Sequence, residues 1–270
     1  MEEQIISSTQ NPRVKRLLLL QQKSQERRRE GVFVVEGRRE LEHCIEAGYE
    51  VESVFCLSSL PSLHPQDYSL SSLLSPLSSK NTFLVTPKVY ERIAYRGSTE
   101  GVIAIVRAKS HRLEDLQLSD NPLVIVLESV EKPGNLGAVL RSADAAQADA
   151  VIVCDPLTDL YNPNLIRSSI GAIFTVPTVA CTSEECIAFL EQHGIQILTA
   201  QLQDSSLYYD TPMTGPTAIV MGTESTGLTD QWRRAATAHI RIPMLGRLDS
   251  LNVSVSAAIL LFEAVRQRQK

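Results

Sequence analysis

Residues 242–259 read IPMLGRLDSLNVSVSAAI, which is the most unusual stretch of the chain. A short apolar segment is followed by a glycine loop and then by a helix pattern after Ser250, a favoured capping residue. The pattern is apolar on nearly every side from residue 253 to 262, so we expect the helix to be buried or to lie at a subunit interface. Three polar residues in its first turns would be costly there without hydrogen-bond partners: Asn252, Ser254 and Ser256. The stretch therefore indicates a ligand pocket, with a capped core helix as the alternative.

Strand and helix patterns alternate throughout the part of the chain that begins at Leu123. Solid apolar runs predict strands at residues 123–127, 150–154, 195–199, 218–221 and 239–242. Continuous apolar strands between helical segments indicate a parallel sheet covered by helices on both faces. Ligands of such open α/β sheets bind at the carboxyl ends of strands, so we expect function in the loops that follow these strands.

The loop after the first of these strands, residues 128–144, reads ESVEKPGNLGAVLRSAD. Asn135 is a favoured helix N-cap between two glycines, and Arg141 lies in the second turn beside an apolar stripe. The loop is neither a dinucleotide fingerprint nor a P-loop, and an arginine taken alone is more often a surface or ion-paired residue.

The loop after a later strand, residues 222–228, reads GTESTGL. Its glycines around Glu224 allow close backbone approach, although an ordinary helix entry would look the same.

Together these three stretches resemble the SpoU (TrmH-like) family of RNA ribose methyltransferases in the SPOUT superfamily. The family motif NxGxxxRxA corresponds to residues 135–143, GxExxGL to residues 222–228, and IPMxGxxxSLNVSVxxAI to residues 242–259. The resemblance covers roughly residues 123–270. One departure is Ala148, where the first motif commonly continues to glycine; alanine is also small.

The resemblance implies an α/β fold with two domains. A C-terminal open parallel sheet, with helices on both faces and a deep trefoil knot, would occupy residues 122–270. A small N-terminal α/β RNA-binding domain, similar to a ribosomal protein, would occupy residues 1–108, with a linker at 109–121. The family is typically a homodimer, which would bury the apolar C-terminal helix.

The resemblance also implies methyl transfer from S-adenosylmethionine to a ribose 2'-hydroxyl of RNA, with ribosomal RNA favoured over transfer RNA and no metal required. The implied catalytic residues are Arg141, Asn135, Glu224, Ser250 and Asn252. The implied cofactor contacts are Gly222, Ile242, Met244, Gly246, Leu251 and Asn252. Arginine holds its proton too firmly to be a good base, so we interpret Arg141 as a cation that clamps a phosphate and stabilises the developing oxyanion. An RNA phosphate oxygen or Glu224 would then accept the proton.

The N-terminal part carries an uneven charge. The whole chain has a formal net charge of −5, which argues against indiscriminate coating of nucleic acid. Residues 11–39 nevertheless hold nine basic residues against three glutamates, a net charge of +6. A phosphate-facing surface is one explanation and a solvated helix face is the other. The predicted RNA contacts are Arg13, Lys15, Arg16, Arg27, Arg28, Arg29 and Arg38.

Around that basic segment the sequence predicts strands at residues 32–35, 51–57, 82–85 and 102–107, and a helix at 38–47. The Ser-rich stretch 58–79 predicts a loop.

Five cysteines, at positions 44, 56, 154, 181 and 186, show no paired framework and no CxxC spacing. They are therefore predicted to be buried apolar thiols in a reducing compartment, with no metal site. No apolar run reaches the roughly 18 residues of a membrane span, and the acidic, polar start at Met1 is unlike a signal peptide, so we expect a cytoplasmic protein.

Three alternatives stay open at this point. A non-catalytic RNA-binding or ribosome-assembly factor could share the fold, but it should have lost Arg141 or the cofactor loops. A nucleotide-dependent oxidoreductase shares the α/β pattern but would need a GxGxxG loop after its first strand. A SPOUT enzyme that methylates a base is the third, and the SLNVSV stretch favours ribose instead.

Overall fold

The computed structural model describes residues 5–59, 81–95, 100–223 and 226–269. Contacts divide the chain into two units. The first unit contains Met1–Lys109 and Tyr161–Phe174, and the second contains Ser110–Leu160 and Thr175–Lys270. The sequence predicted two continuous domains. In the structure, residues 161–174 belong to the first unit although they lie within the predicted second domain. Most of the predicted Ser-rich loop, from residue 60 onward, lies outside the described residues.

The secondary structure follows the predicted alternation. Up to residue 107 the elements are β1 Ile5–Ile6, α1 Pro12–Gln22, α2 Ser24–Glu30, β2 Val32–Glu36, α3 Arg38–Glu46, β3 Val51–Leu57, β4 Thr82–Val85, α4 Pro87–Ile93 and β5 Val102–Arg107. The remaining elements are β6 Leu123–Glu128, α5 Pro133–Ala145, β7 Ala150–Cys154, α6 Pro163–Ser169, α7 Ala172–Thr175, β8 Thr178–Cys181, α8 Ser183–Gln192, β9 Gln196–Ala200, β10 Ser206–Leu207, β11 Thr217–Met221, α9 Asp230–Ala235, β12 Ala238–Arg241 and α10 Val253–Arg268. Short 3-10 turns lie at Leu113–Asp115 and Tyr208–Asp210. Of the strands, β1, β8 and β10 were not predicted from the sequence.

The first unit is built on a mixed five-stranded sheet in the order β1-β4-β3-β5-β2. Strands β1, β4 and β3 run parallel, whereas β5 is antiparallel to both of its neighbours. Helix α1 begins at Pro12, and the side chain of Asn11 accepts a hydrogen bond from the Arg13 backbone, which satisfies one free amide of the first turn. The apolar face of α1 packs into the core through Val14, Leu17 and Leu20.

The second unit is built on a seven-stranded sheet in the order β10-β12-β9-β11-β6-β7-β8, and every pair in it is parallel. This confirms the predicted open parallel sheet. From β6 the chain runs outward through β7 to β8 and then crosses to the other side of β6 to form β9. The carboxyl ends of β6 and β11 therefore lie side by side at the point where the strand order reverses, the usual place for a ligand in this architecture.

Two helix starts differ from the prediction. Lys132, not Asn135, is the N-cap of α5, because Pro133 fits the first helical position with no backbone donor to lose. Asn252, not Ser250, is the N-cap of α10, and its side-chain oxygen accepts from the backbone nitrogen of Ser254 at 3.0 Å. Asn135 thus lies within the first turn of α5, and Asn252 lies at the start of α10.

Helix α10 is only partly buried in the single chain, whereas its apolar pattern predicted burial or a place at a subunit interface. It packs against α5 and buries a stripe that contains Val253, Ala257, Leu260, Leu261 and Ala264. Val255 and Phe262, on other sides, stay about half exposed. Within the part of the chain that the structure describes, no helix combines the length and apolar character needed to cross a bilayer.

A buried carboxylate, Glu128, fixes the end of β6. It is 2% exposed, and its two oxygens accept from the backbone nitrogen and hydroxyl of Thr229 at 2.9 and 2.6 Å. Ser183 Oγ lies 3.4 Å from the same carboxylate, accepts from the indole of Trp232 at 2.9 Å and donates to Asp155 at 2.6 Å. The network joins β6 to the starts of α8 and α9, and thereby holds the strand end that supports the loop at residues 129–132.

Replacing Glu128 by Ala should lower the free energy of unfolding by about 2–4 kcal/mol, because it removes a buried acceptor on which two Thr229 donors and the Ser183 hydroxyl converge. The fluorescence of Trp232, the single tryptophan, measures this in a urea titration. Glu131→Ala is the matched control, since Glu131 is exposed in the loop just beyond. Equal midpoints for the two variants would show that the network contributes nothing.

Candidate active site

The three predicted motif loops of the second unit meet beside the ends of β6 and β11. Met221 pairs in register with Leu127, so the residues that follow the two strands start from the same sheet edge. Asn252 Nδ2 donates to Asn135 Oδ1 at 3.2 Å, a contact between residues 117 positions apart. The first and third motifs are therefore joined by a direct hydrogen bond.

The second motif forms a tight loop at the same edge. A Cβ atom on Gly222 would lie 2.3 Å from the carbonyl carbon and oxygen of Gly227, so only glycine allows this backbone approach. The backbone nitrogen of Gly227 donates to the Thr223 carbonyl at 3.1 Å, and Gly227 has a φ of +70°. Glu224, a predicted catalytic residue, lies outside the described residues.

A cavity of about 380 Å³ opens between the second and third motif loops. Its apolar wall comes from strand ends, the two loops and α10: Met221, Leu228, Ile240, Ile242, Met244, Leu251, Val253 and Leu260. Its polar side includes Gln201, Gln203, Arg233, Arg241, Asp249 and Ser250. A smaller cavity of about 120 Å³ adjoins it, shares Gly222, Thr223 and Val253, and reaches Asn135. A cavity with one apolar wall and one polar side can hold a small molecule that has both kinds of group.

Gln201 carries a polar atom that the protein leaves unsatisfied. Its Nε2 donates to the Gln203 carbonyl at 2.9 Å, but its buried Oε1 has no hydrogen-bond partner among the described residues. An unpaired buried acceptor is costly, and a ligand in the cavity that Gln201 lines could supply the missing donor. Sequence reasoning missed this residue. The signal was its position directly after β9, at the carboxyl end of a parallel strand.

The remaining predicted site residues fall into two groups. Gly222, Ile242, Met244, Ser250 and Leu251 line the larger cavity, and Asn135 lines the smaller one. Asn252, Gly246 and Arg141 line neither cavity, although Asn252 bonds to Asn135. The side chain of Arg141 is exposed on α5 and has no hydrogen bond or ion pair within the described residues. In the single chain this guanidinium is therefore accessible to solvent and lines neither cavity.

Among the predicted RNA contacts of the first unit, Arg27 is an error. It is buried, and its guanidinium donates to the carbonyl oxygens of Leu20 at 2.6 Å and Gln21 at 3.3 Å. Those carbonyls belong to the last turn of α1, where the helix offers them no backbone N–H donor. Arg27 thus ties α2 to the end of α1, a role that charge counting could not separate from phosphate binding.

The other six basic residues differ in how far they are engaged. Arg16 forms ion pairs with Glu30 and Glu52 at 2.7 and 2.6 Å, and the hydrogen bond to Glu52 is the main cause that raises its pKa. Arg29 and Arg38 also have carboxylate partners, while Arg13 lies over the ring of Phe83 at 4.6 Å. Lys15 and Arg28 are exposed and have no partner among the residues that the structure describes.

Comparison with known proteins agrees with the motifs. The SpoU rRNA Methylase family matches residues 122–262, and the MRM3-like substrate binding domain matches residues 11–104. The 23S rRNA (guanosine-2'-O-)-methyltransferase RlmB of Photobacterium profundum is 35% identical over 235 residues, which cover 84% of this chain and 96% of that protein.

Solved structures agree over nearly the whole chain. The crystal structure of an RNA 2'-O ribose methyltransferase has a TM-score of 0.83 and 39% identity, and covers 98% of this chain and 100% of that chain. The SpoU methyltransferase AviRb from Streptomyces viridochromogenes, in complex with the cofactor AdoMet, has a TM-score of 0.85 and 27% identity, with coverages of 96% and 99%. Because the family match spans more than half of the sequence and the relative aligns over most of it, this chain belongs to the SpoU rRNA methylase family.

Proposed function

We propose that this chain transfers a methyl group from S-adenosylmethionine to a ribose 2'-hydroxyl of ribosomal RNA. The observation that carries the proposal is the meeting of three motif loops around one cleft, where Asn135 bonds to Asn252 and Gly222 lines both cavities. RlmB of Photobacterium profundum, whose name gives this reaction on 23S rRNA, is similar over most of the chain. The alternative is a non-catalytic RNA-binding or assembly factor, and the retention of Arg141 with all three motifs argues against it.

The larger cavity fits S-adenosylmethionine in chemical character. Its apolar wall suits a flat adenine ring, and Gln201 offers an acceptor to one of the amino, ammonium or hydroxyl donors of that molecule. Ile242, Met244 and Leu251 would hold the apolar part, with Gly222 at the side that opens to Asn135. When bound, S-adenosylmethionine supplies an electrophilic sulfonium methyl group. The chain itself supplies binding, orientation and the handling of a proton.

Replacing Gln201 by Leu should weaken S-adenosylmethionine binding about 5- to 10-fold, the worth of one hydrogen bond of roughly 1 kcal/mol. Isothermal calorimetry on the full chain measures this. Gln192→Leu, which changes an exposed residue of α8, is the matched control. Undiminished affinity in Gln201→Leu would remove this residue from the cofactor site. No binding heat with the unchanged chain would instead favour the non-catalytic alternative.

Arg141 is the residue to which we assign stabilisation of the reacting oxygen. A neutral hydroxyl is a poor nucleophile, so the site must remove its proton or stabilise the emerging negative charge. A guanidinium donates in a fixed planar fork, which suits a phosphate and an alkoxide and does not suit proton removal. Asn135 and Asn252 would orient the ribose, Ser250 would brace the cofactor loop, and Glu224 or an RNA phosphate oxygen would accept the proton.

Replacing Arg141 by Lys should lower kcat at least about 100-fold while S-adenosylmethionine affinity stays unchanged, because only the directional contacts to substrate are lost. A methyl-transfer assay on ribosomal RNA with saturating cofactor measures kcat, and calorimetry measures affinity. Arg112→Lys is the control, since Arg112 is an exposed arginine of the same unit with its own partner, Asp115. Near-normal turnover of Arg141→Lys at neutral pH would contradict the assigned role.

We assign RNA docking to the first unit, whose match to a substrate binding domain supports this role. Exposed cations without partners gain most from phosphate contact, since ion-paired ones must first give up a carboxylate. Lys15 and Arg28 meet that condition within the described residues, and Arg16, Arg29 and Arg38 meet it less well. Contacts of this kind position the RNA without reading its sequence.

The double variant Lys15→Gln, Arg28→Gln should weaken RNA binding and reduce the slope of log affinity against log salt by about 1.4 to 1.8. Filter binding of a ribosomal RNA fragment across a salt titration measures both quantities. Arg112→Gln, which removes one exposed positive charge from the second unit, is the control and should leave the slope unchanged. An unchanged slope in the double variant would take these two residues out of the RNA interface.

Three features of the family remain proposals for this chain. A homodimer would cover the half-exposed Val255 and Phe262 of α10, and the solution mass decides it. The trefoil knot would involve the loops that follow β11 and β12. A cytoplasmic location accords with a ribosomal RNA substrate.

A further inference from the structure

Three cysteines of the second unit converge although they are far apart in the sequence. Cys154 ends β7, Cys181 ends β8, and Cys186 lies in the first turns of α8. Cys154 and Cys181 are register partners in the parallel pair, and the sulfur atoms of all three residues lie within 4.8 Å of one another. The spacing of 27 and 5 residues gave no metal-site signal, so the sequence predicted isolated buried thiols.

The surroundings of the three sulfurs are those of an enclosed site with one open side. Cys154 and Cys186 are completely buried, whereas Cys181 is partly exposed and gives access from solvent. Asp155 and Glu185 neighbour the thiols in sequence, but their carboxylates are engaged with Ser183 and Thr182. They add negative charge nearby and do not join the ligand set. The cluster lies at the β7–β8 edge of the sheet, on the other side of β6 from the cofactor cleft.

We propose that Cys154, Cys181 and Cys186 form a binding site for a thiophilic d¹⁰ cation, Zn²⁺ or Cu⁺. Thiolates are the ligands that select these ions. Zinc–sulfur bonds of about 2.3 Å in a tetrahedron place the sulfurs about 3.8 Å apart, so the three side chains need only a small contraction. Zn²⁺ would complete its tetrahedron with a water or an external thiol on the Cys181 side, while Cu⁺ would be held by the three sulfurs in a plane.

Such an ion would act as a structural or regulatory ligand, and the methyl transfer needs no metal. It would link the ends of β7 and β8 to the start of α8, next to the Ser183 and Glu128 network. Each thiol that becomes a ligand loses its proton to the buffer, so binding is accompanied by proton release. The site is independent of the proposed function, because none of its residues lines the cofactor cleft.

The test is metal titration of the reduced full chain. Zn²⁺ is added in competition with a chromophoric chelator, and Cu⁺ is added anaerobically in the same way. We expect one equivalent per chain for at least one of the two ions, proton release on binding, and an ultraviolet thiolate charge-transfer band when Cd²⁺ replaces Zn²⁺. The thermal midpoint of the chain should rise with the bound ion.

Cys181→Ser is the decisive variant, since its partly exposed position tolerates serine. It should bind the ion at least 10-fold more weakly and lose both the charge-transfer band and the rise in thermal midpoint. Cys44→Ala and Cys56→Ala, which change buried cysteines of the first unit, should bind like the unchanged chain. S-adenosylmethionine affinity should be the same in all variants, which separates this test from that of the proposed function.

Three results would overturn the proposal. One is the absence of stoichiometric binding of either ion, which would leave the cluster as packed apolar thiols. Another is equal affinity in Cys181→Ser. The third is a disulfide within the cluster in the chain purified without oxidant, since the sulfurs would then be unavailable as ligands.

Discussion

The parallel register between β6 and β11 is the constraint on which the rest of the site depends. Because Met221 lies opposite Leu127, two loops from distant parts of the sequence leave the sheet at one point. Glu128 is buried at that point, and its bonds to Thr229 fix the chain just after the second motif loop. Gly222 completes the arrangement, since any side chain there would push the Gly227 backbone away. A shift of one residue in register would turn these residues to the opposite face of the sheet, and the two loops would no longer form a cleft.

Asn252 has two tasks that the same side chain performs with different atoms. Its oxygen caps α10 by accepting from the Ser254 backbone and hydroxyl at 3.0 and 2.6 Å, and its amide nitrogen donates to Asn135. Aspartate would keep the first task and lose the second, while serine is too short to do both. Asn252 and Ser254 at the start of α10 are therefore explained by hydrogen bonds within the first turn and to α5. The same side chain therefore fixes the start of α10 and joins the first and third motifs.

Much of this arrangement was predictable, and the failures have specific physical causes. Solid apolar runs between helices determined the strands, so 51–57, 82–85, 102–107 and 150–154 match the observed bounds. Helix caps were harder, because proline at the first helical position competes with asparagine for the start of α5. Arg27 and the cysteine cluster were missed, since which carbonyl or thiol lies nearby depends on tertiary packing that local patterns do not contain. Gln201 was missed because its unpaired oxygen is visible only once its neighbours are known.

The exposed position of Arg141 has a chemical consequence. A guanidinium in water is well solvated and its interaction with a charge a few ångströms away is weak, on the order of 1 kcal/mol. The same pair with water excluded is several times stronger. If Arg141 were paired with a carboxylate of its own chain, that ion pair would have to break before the guanidinium could bind a substrate. Under the proposed function, Arg141 lines neither cavity and has no partner among the described residues, so its charge stays available for the RNA that would cover it. In that proposal, cofactor binding and turnover depend on different residues: those of the larger cavity would hold the cofactor, and Arg141 would meet the substrate.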